Sequence, residues 1–289
     1  MRIAHVPTQV HRQPRAVAIG TFDGVHLGHQ GVIGAAIDTG LAPTVLTFDP
    51  HPRVALGNRV DLISTLERRL ELLGAHGVET TLIAGFTPEL LRLSPEDFAE
   101  TYLRAIGAEV VIAGPDFRFG YRRTGDLALL ERLGFQVIQA PEVPGIRSSA
   151  VRAAIREGDI AAAARMLGRP PELDGIVVGG DQRGGTLGYP TANIQLLPEL
   201  VVPHYGIYAG QWGDHRSAIS IGTNPHYGGT EQRVEAFILD FQGDLYGKRM
   251  VVEVWERLRG EQVFESEQAL IEQIGRDVER TRAAQPPVT

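Results

Sequence analysis

The chain of 289 residues contains no cysteine. Disulfides, thiolate metal sites and cysteine nucleophiles are therefore excluded, and the redox compartment carries no marker. A basic surplus is also missing: 28 Lys and Arg stand against 35 Asp and Glu, a net charge of −7. Dedicated nucleic-acid binders usually show a basic domain, so no nucleic-acid partner is expected. No apolar run approaches the ~20 residues of a membrane-spanning helix. The opening residues, Met1-Arg-Ile-Ala-His-Val-Pro7, lack the apolar stretch of a secretory signal. A cytoplasmic protein without membrane contact is the expectation. Internal repeats, low-complexity tracts and the Gly-Lys-Ser/Thr ending of a Walker loop are likewise absent.

What is present is ordinary globular composition, 43% hydrophobic and 22% charged, enough for one or two cores. The length suggests two domains. Strand-like runs at 17–19, 43–48, 80–83, 109–113 and 136–139 alternate with helical patterns. Ser64-Thr-Leu-Glu67 reads as a capping box, and Ser94-Pro-Glu-Asp97 as a capped helix start. Such alternation predicts an α/β, Rossmann-like first half with a mostly parallel sheet. Alanine-rich helical pieces at 153–156 and 159–167 follow, broken by Gly158 and stopped by Arg169-Pro-Pro171. Beyond them, short strands at 175–179, 206–211, 216–221, 233–241 and 248–256 predict a small antiparallel, mainly-β barrel. An amphipathic helix over 266–282, with Leu270, Ile271, Ile274 and Val278 on one face, closes the chain. The predicted domains are residues 1–156 and 157–289.

The most informative stretch is Gly20-Thr-Phe-Asp-Gly-Val-His-Leu-Gly-His29. It runs from a strand through a glycine-rich turn to a helix start. Unpaired backbone N–H groups and the positive end of the helix dipole suit an anion there. His26 and His29 add directional donors for phosphate oxygens. Sites in open α/β sheets lie beyond the carboxyl ends of strands, which is where this stretch falls.

Five further constellations stand out. Pro50-His51-Pro52 stiffens a loop after the second predicted strand; taken alone, an ordinary turn is the commoner reading. Asp116-Phe-Arg-Phe119 places aromatics beside arginine after another strand, a surface able to hold a flat ring or simply to tuck onto the core. Ser148 and Ser149 with Arg152 open a helix and make a second anion cradle, although a plain N-cap explains Ser148. The stretch 179–193 is a glycine-rich loop, including Gly185 and Gly188, that ends in Pro190-Thr-Ala-Asn193. Its Thr191 and Asn193 point to one face of an extended segment as hard oxygen ligands, suiting Mg²⁺. Glu235 is a carboxylate in an apolar strand, either a solvent-face residue or a base facing a cleft.

In this order, with Leu187-Gly-Tyr189, Gly206-Ile-Tyr208, Asp244-Leu-Tyr-Gly247 and Arg276-Asp277, the motifs make the chain resemble the bacterial bifunctional riboflavin kinase/FMN adenylyltransferases over nearly its whole length. The resemblance implies an N-terminal nucleotidyltransferase domain and a C-terminal riboflavin kinase-like Greek-key barrel. It implies riboflavin, FMN and ATP as small-molecule substrates, FAD as product and Mg²⁺ as cofactor, and it leaves a homo-oligomer open. Gly20, Phe22, Asp23, His26, Gly28, His29, Ser148, Ser149 and Arg152 would bind ATP for adenylylation. His26 and His29 would be catalytic there, and His51, Asp116, Phe117 and Phe119 would bind FMN. In the kinase, Gly185, Gly188, Pro190, Thr191 and Asn193 would bind ATP, the last two with Mg²⁺, and Glu235 would be the base. Ala150, Pro171, Ser220 and Asn224 depart from the family pattern, leaving affinity and the balance of activities open. Two alternatives are a monofunctional adenylyltransferase with a passive barrel and a non-catalytic flavin- or nucleotide-binding regulator.

Overall fold

In the computed structural model, which describes residues 1–179, 188–223 and 232–289, the chain divides into two units. The first comprises Met1–Val60 and Leu66–Arg147, the second Asp61–Thr65 and Ser148–Thr289.

Six parallel strands form the sheet of the first unit: β1 (Arg2–Ala4), β2 (Arg15–Ile19), β3 (Ala42–Asp49), β4 (Thr80–Gly85), β5 (Ala108–Ala113) and β6 (Gln136–Gln139). Their order is β1-β4-β3-β2-β5-β6. Successive side chains point to opposite faces. Val17, Leu46 and Val111 enter one apolar layer with Leu103, Ile106 and Leu130. Ala16, Val45 and Ile112 enter the other, with Val32 and Ile33 of helix Leu27–Ile37 and Leu72 and Leu73 of helix Leu66–Ala75. Burial on both faces explains why these strands read as continuous apolar runs. Strand β1 escapes sequence reading because it is a three-residue edge strand with Ala4 alone buried. The order reverses at β2 and β5, so a crevice opens there at the strands' carboxyl ends.

The predicted cap at Ser94 is present, its hydroxyl accepting from the Asp97 N–H at 3.0 Å. The helix after Ser64 begins at Leu66, one residue later than the capping box implies, and the neighbouring Thr65 hydroxyl turns to Asp174 instead.

The second unit holds a closed antiparallel barrel of β7 (Glu172–Val178), β8 (Thr191–Leu196), β9 (Gly206–Trp212), β10 (His215–Thr223), β11 (Gln232–Ile238) and β12 (Arg249–Arg259), ordered β10-β11-β8-β7-β12-β9. Ile219, Ile221, Val234, Ala236, Val252 and Val254 fill it. Closure removes exposed strand edges. Strand β8 begins at Thr191, so the expected extended segment of Thr191 and Asn193 is a barrel strand, one whose Thr191-Ala-Asn start carries little apolar signal. Helices Ser148–Glu157 and Ile160–Leu167 precede the barrel, parted at Gly158 (φ 76°). Gly168, left-handed at φ 69°, ends the second helix before the prolines are reached. Helix Glu267–Ala283 follows the barrel, capped by Ser266.

Asp61–Thr65 belongs to this unit by its contacts. Leu62 donates to the Glu199 carbonyl at 2.5 Å and accepts from Val201 N–H at 2.8 Å. Thr65 donates to Asp174, which also takes two hydrogen bonds of 2.8 Å from Arg249. Asp61 pairs with Arg156.

Candidate functional site

The crevice of the first unit is a cavity of about 380 Å³, lined by residues 19–22, 114–117 and 140–147 with His26, Gly28 and His29. The turn leading into it is tight: Phe22 (φ 50°), Gly24 (φ 77°) and Val25 (φ 42°) all lie in the left-handed region. Only the glycine adopts this without strain, and each non-glycine there costs of order 1–3 kcal/mol. The turn delivers His26 as N-cap of helix Leu27–Ile37, its Nδ1 accepting from the His29 N–H at 3.3 Å. An accepting Nδ1 leaves Nε2 as the N–H donor of the neutral ring. The two imidazoles stack, centroids 3.6 Å apart and planes within 14°, and Phe22 leans on His29 at 5.2 Å. A Cβ at Gly28 would press on the His26 ring at 3.2 Å and lie 3.9 Å from the Ile146 carbonyl. Glycine therefore keeps the helix start open to the cleft.

Gly20, Phe22, His26, Gly28 and His29 thus meet Asp116 and Phe117 around one cavity. Six expected members do not line it. Asp23 is fully buried and does not line the cavity; its charge raises the pKa of the Arg69 guanidinium. Phe119 is buried in the apolar core, 5.4 Å from Phe98 and 5.5 Å from Phe117. His51 is buried too, and its Nδ1 accepts from Arg53 N–H at 3.2 Å, capping the turn Pro52–Ala55. Ser148, Ser149 and the buried Arg152 stand on the first helix of the second unit. Sequence reading missed the 140–147 wall; its signal was its place after β6, beside the reversal of strand order.

Two cavities adjoin β8 in the second unit. One, of about 250 Å³, is bordered by Thr191, Glu235, Phe237, Arg259 and Asp277 and roofed by Leu270, Ile274 and Val278 of the terminal helix. The β11 alternation explains it: Val234, Ala236 and Ile238 fill the barrel, so Glu235 and Phe237 face outward. The Thr191 hydroxyl donates to Glu235 Oε2 at 3.1 Å. Asn193 stands in register opposite Glu235, as does Ser220 on the other flank. Arg259 Nη2 lies 2.8 Å from Asp277 Oδ2, and Asp277 also accepts from Gln273. Tyr189 meets Phe237 edge-on at 5.4 Å. The other cavity, about 210 Å³, lies between Pro190, Thr191 and the segment Phe241 to Tyr246. Thr191 borders both. Gly188 (φ 86°) precedes Pro190, and Gly185 lies outside the described residues, as does Asn224. Sequence reading missed the apolar roof as a binding surface, although the face of Leu270, Ile274 and Val278 was its signal. Among the described residues, no group of three or more His, Asp or Glu could hold a metal ion.

A phosphate-type crevice on a parallel sheet, joined in one chain to a barrel with a carboxylate pocket, defines a two-domain nucleotide-using transferase. The FAD synthetase family model matches residues 8–152, and the riboflavin kinase model matches 167–285. The bifunctional riboflavin kinase/FMN adenylyltransferase of Listeria monocytogenes is 37% identical over 288 residues, covering 93% of this chain and 92% of that protein. The Bacillus subtilis protein of the same description is 33% identical over 305 residues, covering 96% of each. A crystal structure described as a macrolide-efflux protein from Streptococcus pneumoniae is 31% identical, with a TM-score of 0.86 and coverage of 97% of this chain and 98% of that one. In the present chain, no helix among the described residues is long and apolar enough to cross a membrane. The chain belongs to the bifunctional riboflavin kinase/FMN adenylyltransferase family and carries both an FAD synthetase and a riboflavin kinase domain.

Proposed function

We propose that the barrel unit phosphorylates riboflavin and that the first unit adenylylates the FMN so made. The observation that carries this is the separation of two different sites, the stacked His26–His29 pair at a helix start and the Thr191–Glu235 pair beneath an apolar roof.

In the kinase step the riboflavin 5′-hydroxyl attacks the γ-phosphorus of ATP, its proton passes to Glu235 and ADP leaves. The roof of Leu270, Ile274 and Val278, with Phe237 below, suits an apolar flavin ring. The neighbouring cavity beside Pro190 suits the nucleotide, and Thr191, which borders both cavities, would stand where the two substrates meet. The hydroxyl of Thr191 and the amide oxygen of Asn193 are hard donors and fit Mg²⁺. Bound there with the phosphates, Mg²⁺ would neutralise charge on the transferred group. Gly185 and Gly188 would shape the phosphate loop.

In the adenylylation step an FMN phosphate oxygen attacks the α-phosphorus of ATP, forming the P–O–P link of FAD, and pyrophosphate leaves. A phosphate nucleophile needs little deprotonation, so positioning and charge stabilisation dominate. His26 and His29, with the N–H groups of their helix start, would hold the ATP phosphates. Gly20, Phe22 and Gly28 shape that pocket, and Asp116 and Phe117 would meet FMN. Ser148, Ser149 and Arg152 would grip the triphosphate. Asp23, His51 and Phe119 would support these groups from within the core.

The test is incubation with riboflavin, ATP and Mg²⁺, with FMN and FAD separated by chromatography. FMN is expected first and FAD after it, and supplied FMN should give FAD without riboflavin. FMN without FAD would leave a kinase only, and binding without turnover a regulator.

A further inference from the structure

The side chain of Arg69 is the largest among those almost fully buried, at 1% exposed, in a helix whose other inward residues are leucines. Its Nη1 donates to the Thr21 carbonyl at 3.1 Å and to the Phe48 carbonyl at 3.3 Å. Thr21 follows β2 in the wall of the crevice; Phe48 is near the end of β3, just before the loop of His51. Thr47 also donates to the Thr21 carbonyl, at 3.1 Å. The peptide entering the strained turn is thus fixed twice, immediately before Phe22 turns left-handed.

We infer that Arg69 is a positioning residue for adenylylation, clipping the carboxyl ends of β2 and β3 together so that the turn presents His26 and His29 in one geometry. Backbone strain of this kind persists only where the surroundings over-determine it. Carbonyls at strand ends beside a crevice would otherwise take their hydrogen bonds from exchanging water. Both bonds leave one guanidinium nitrogen, Nη1, whose position the planar group fixes, whereas an ammonium turns freely on its stem. Charge is provided for from both loops: burial pushes the Arg69 pKa down, and Asp23 from the turn and Asp49 from the end of β3 oppose that. The buried carboxylate of the opening motif thus opposes part of the burial penalty on the Arg69 charge.

The proposal rests on the reading of the His26–His29 cleft as the adenylylation site. Its test uses the full chain and the variants Arg69→Met, Arg69→Lys and His29→Ala, with both activities and thermal unfolding measured for each. Arg69→Met should lower kcat for FAD formation about 100-fold, the scale of a 1 Å misplacement. FMN formation should stay within about twofold, since its groups lie in the other unit. Arg69→Lys should recover only about a tenth of the parental rate, because the shorter ammonium stem ends short of the Nη1 position and does not fix its donors. FAD formation by Arg69→Met within about threefold of the parent, with His29→Ala inactive, overturns the clip alone. Full activity in Arg69→Lys, with Arg69→Met losing activity only through unfolding, also overturns it and leaves Arg69 a stability residue. An active His29→Ala overturns the cleft reading itself.

Discussion

Thr191 and Glu235 face each other across two neighbouring strands, the hydroxyl of one 3.1 Å from the carboxylate of the other. The hydroxyl donor fixes one carboxylate oxygen, and the second is the one that would accept the proton in the proposed kinase step. Glu235→Gln keeps the shape and removes the proposed base. FMN formation should fall about 10²–10⁴-fold, the usual contribution of a positioned general base. FAD formation from supplied FMN should be unchanged. A kinase rate within threefold of the parent would remove Glu235 from the chemistry.

His29→Ala should do the reverse. Removing one preorganised donor from charge developing on phosphate typically lowers a rate about 10²–10³-fold. The loss should appear in FAD formation, measured with FMN and ATP, and not in riboflavin phosphorylation. Equal loss of both activities would contradict two separate sites.

Asp277 is 3% exposed and meets Arg259 at 2.8 Å on the wall of the cavity under the terminal helix. Asp277→Ala leaves that guanidinium without its carboxylate in a half-enclosed site. Breaking such a pair costs about 3 kcal/mol. A lower unfolding temperature and weaker riboflavin binding should follow together, read by calorimetry and flavin fluorescence quenching.

Gly210 permits strands β9 and β12 to pair, since a Cβ there would stand 1.9 Å from the Glu253 carbonyl. That neighbour is backbone and cannot swing aside. Gly210→Ala should therefore destabilise the barrel by more than about 3 kcal/mol, at the severe end for a point change. Loss of FMN formation at temperatures the parent tolerates would show it, and an unchanged unfolding temperature would refute the clash.

Asp240 and Arg282 tie the terminal helix to the end of β11 at the surface. The Arg282 hydrogen bond holds the Asp240 carboxyl below its ordinary value. A depressed folded pKa means the pair stabilises above the ordinary carboxylate range and loses that as pH falls through the folded value. The unfolding temperature of the parent should exceed that of Asp240→Asn at pH 7. The difference should shrink as pH falls below the ordinary Asp value of about 3.9, and shrink with salt because the pair is exposed.

Much of this was legible in the sequence where patterns are local. The strand–turn–helix reading of 16–37 and the terminal helix with Leu270, Ile274 and Val278 are local, and both units follow them. Local spacing also put Thr191 and Asn193 on one face of an extended segment, while the pairing of Asn193 with Glu235 came from the fold. What was not legible depends on distant partners. Asp23 looks like a ligand residue until its burial and its charge on Arg69, far along the chain, are seen. Phe119 reads as a flavin platform until Phe98 packs on it. The wall at 140–147 carries no motif and acquires its role from where β6 ends.

The short run Asp61–Thr65 carries a consequence for the gene as well as the fold. The chain leaves the first unit at Val60, lies against β7 and the segment around Leu200, and returns at Leu66. A single break after Arg147 would not yield two whole halves. The carboxyl-terminal piece would lack the partner of Val201 and one partner of Asp174, while the amino-terminal piece would carry that run with nothing to lie on. No one recombination point can part the two halves cleanly, and a free-standing kinase made from this sequence would need its missing strap rebuilt.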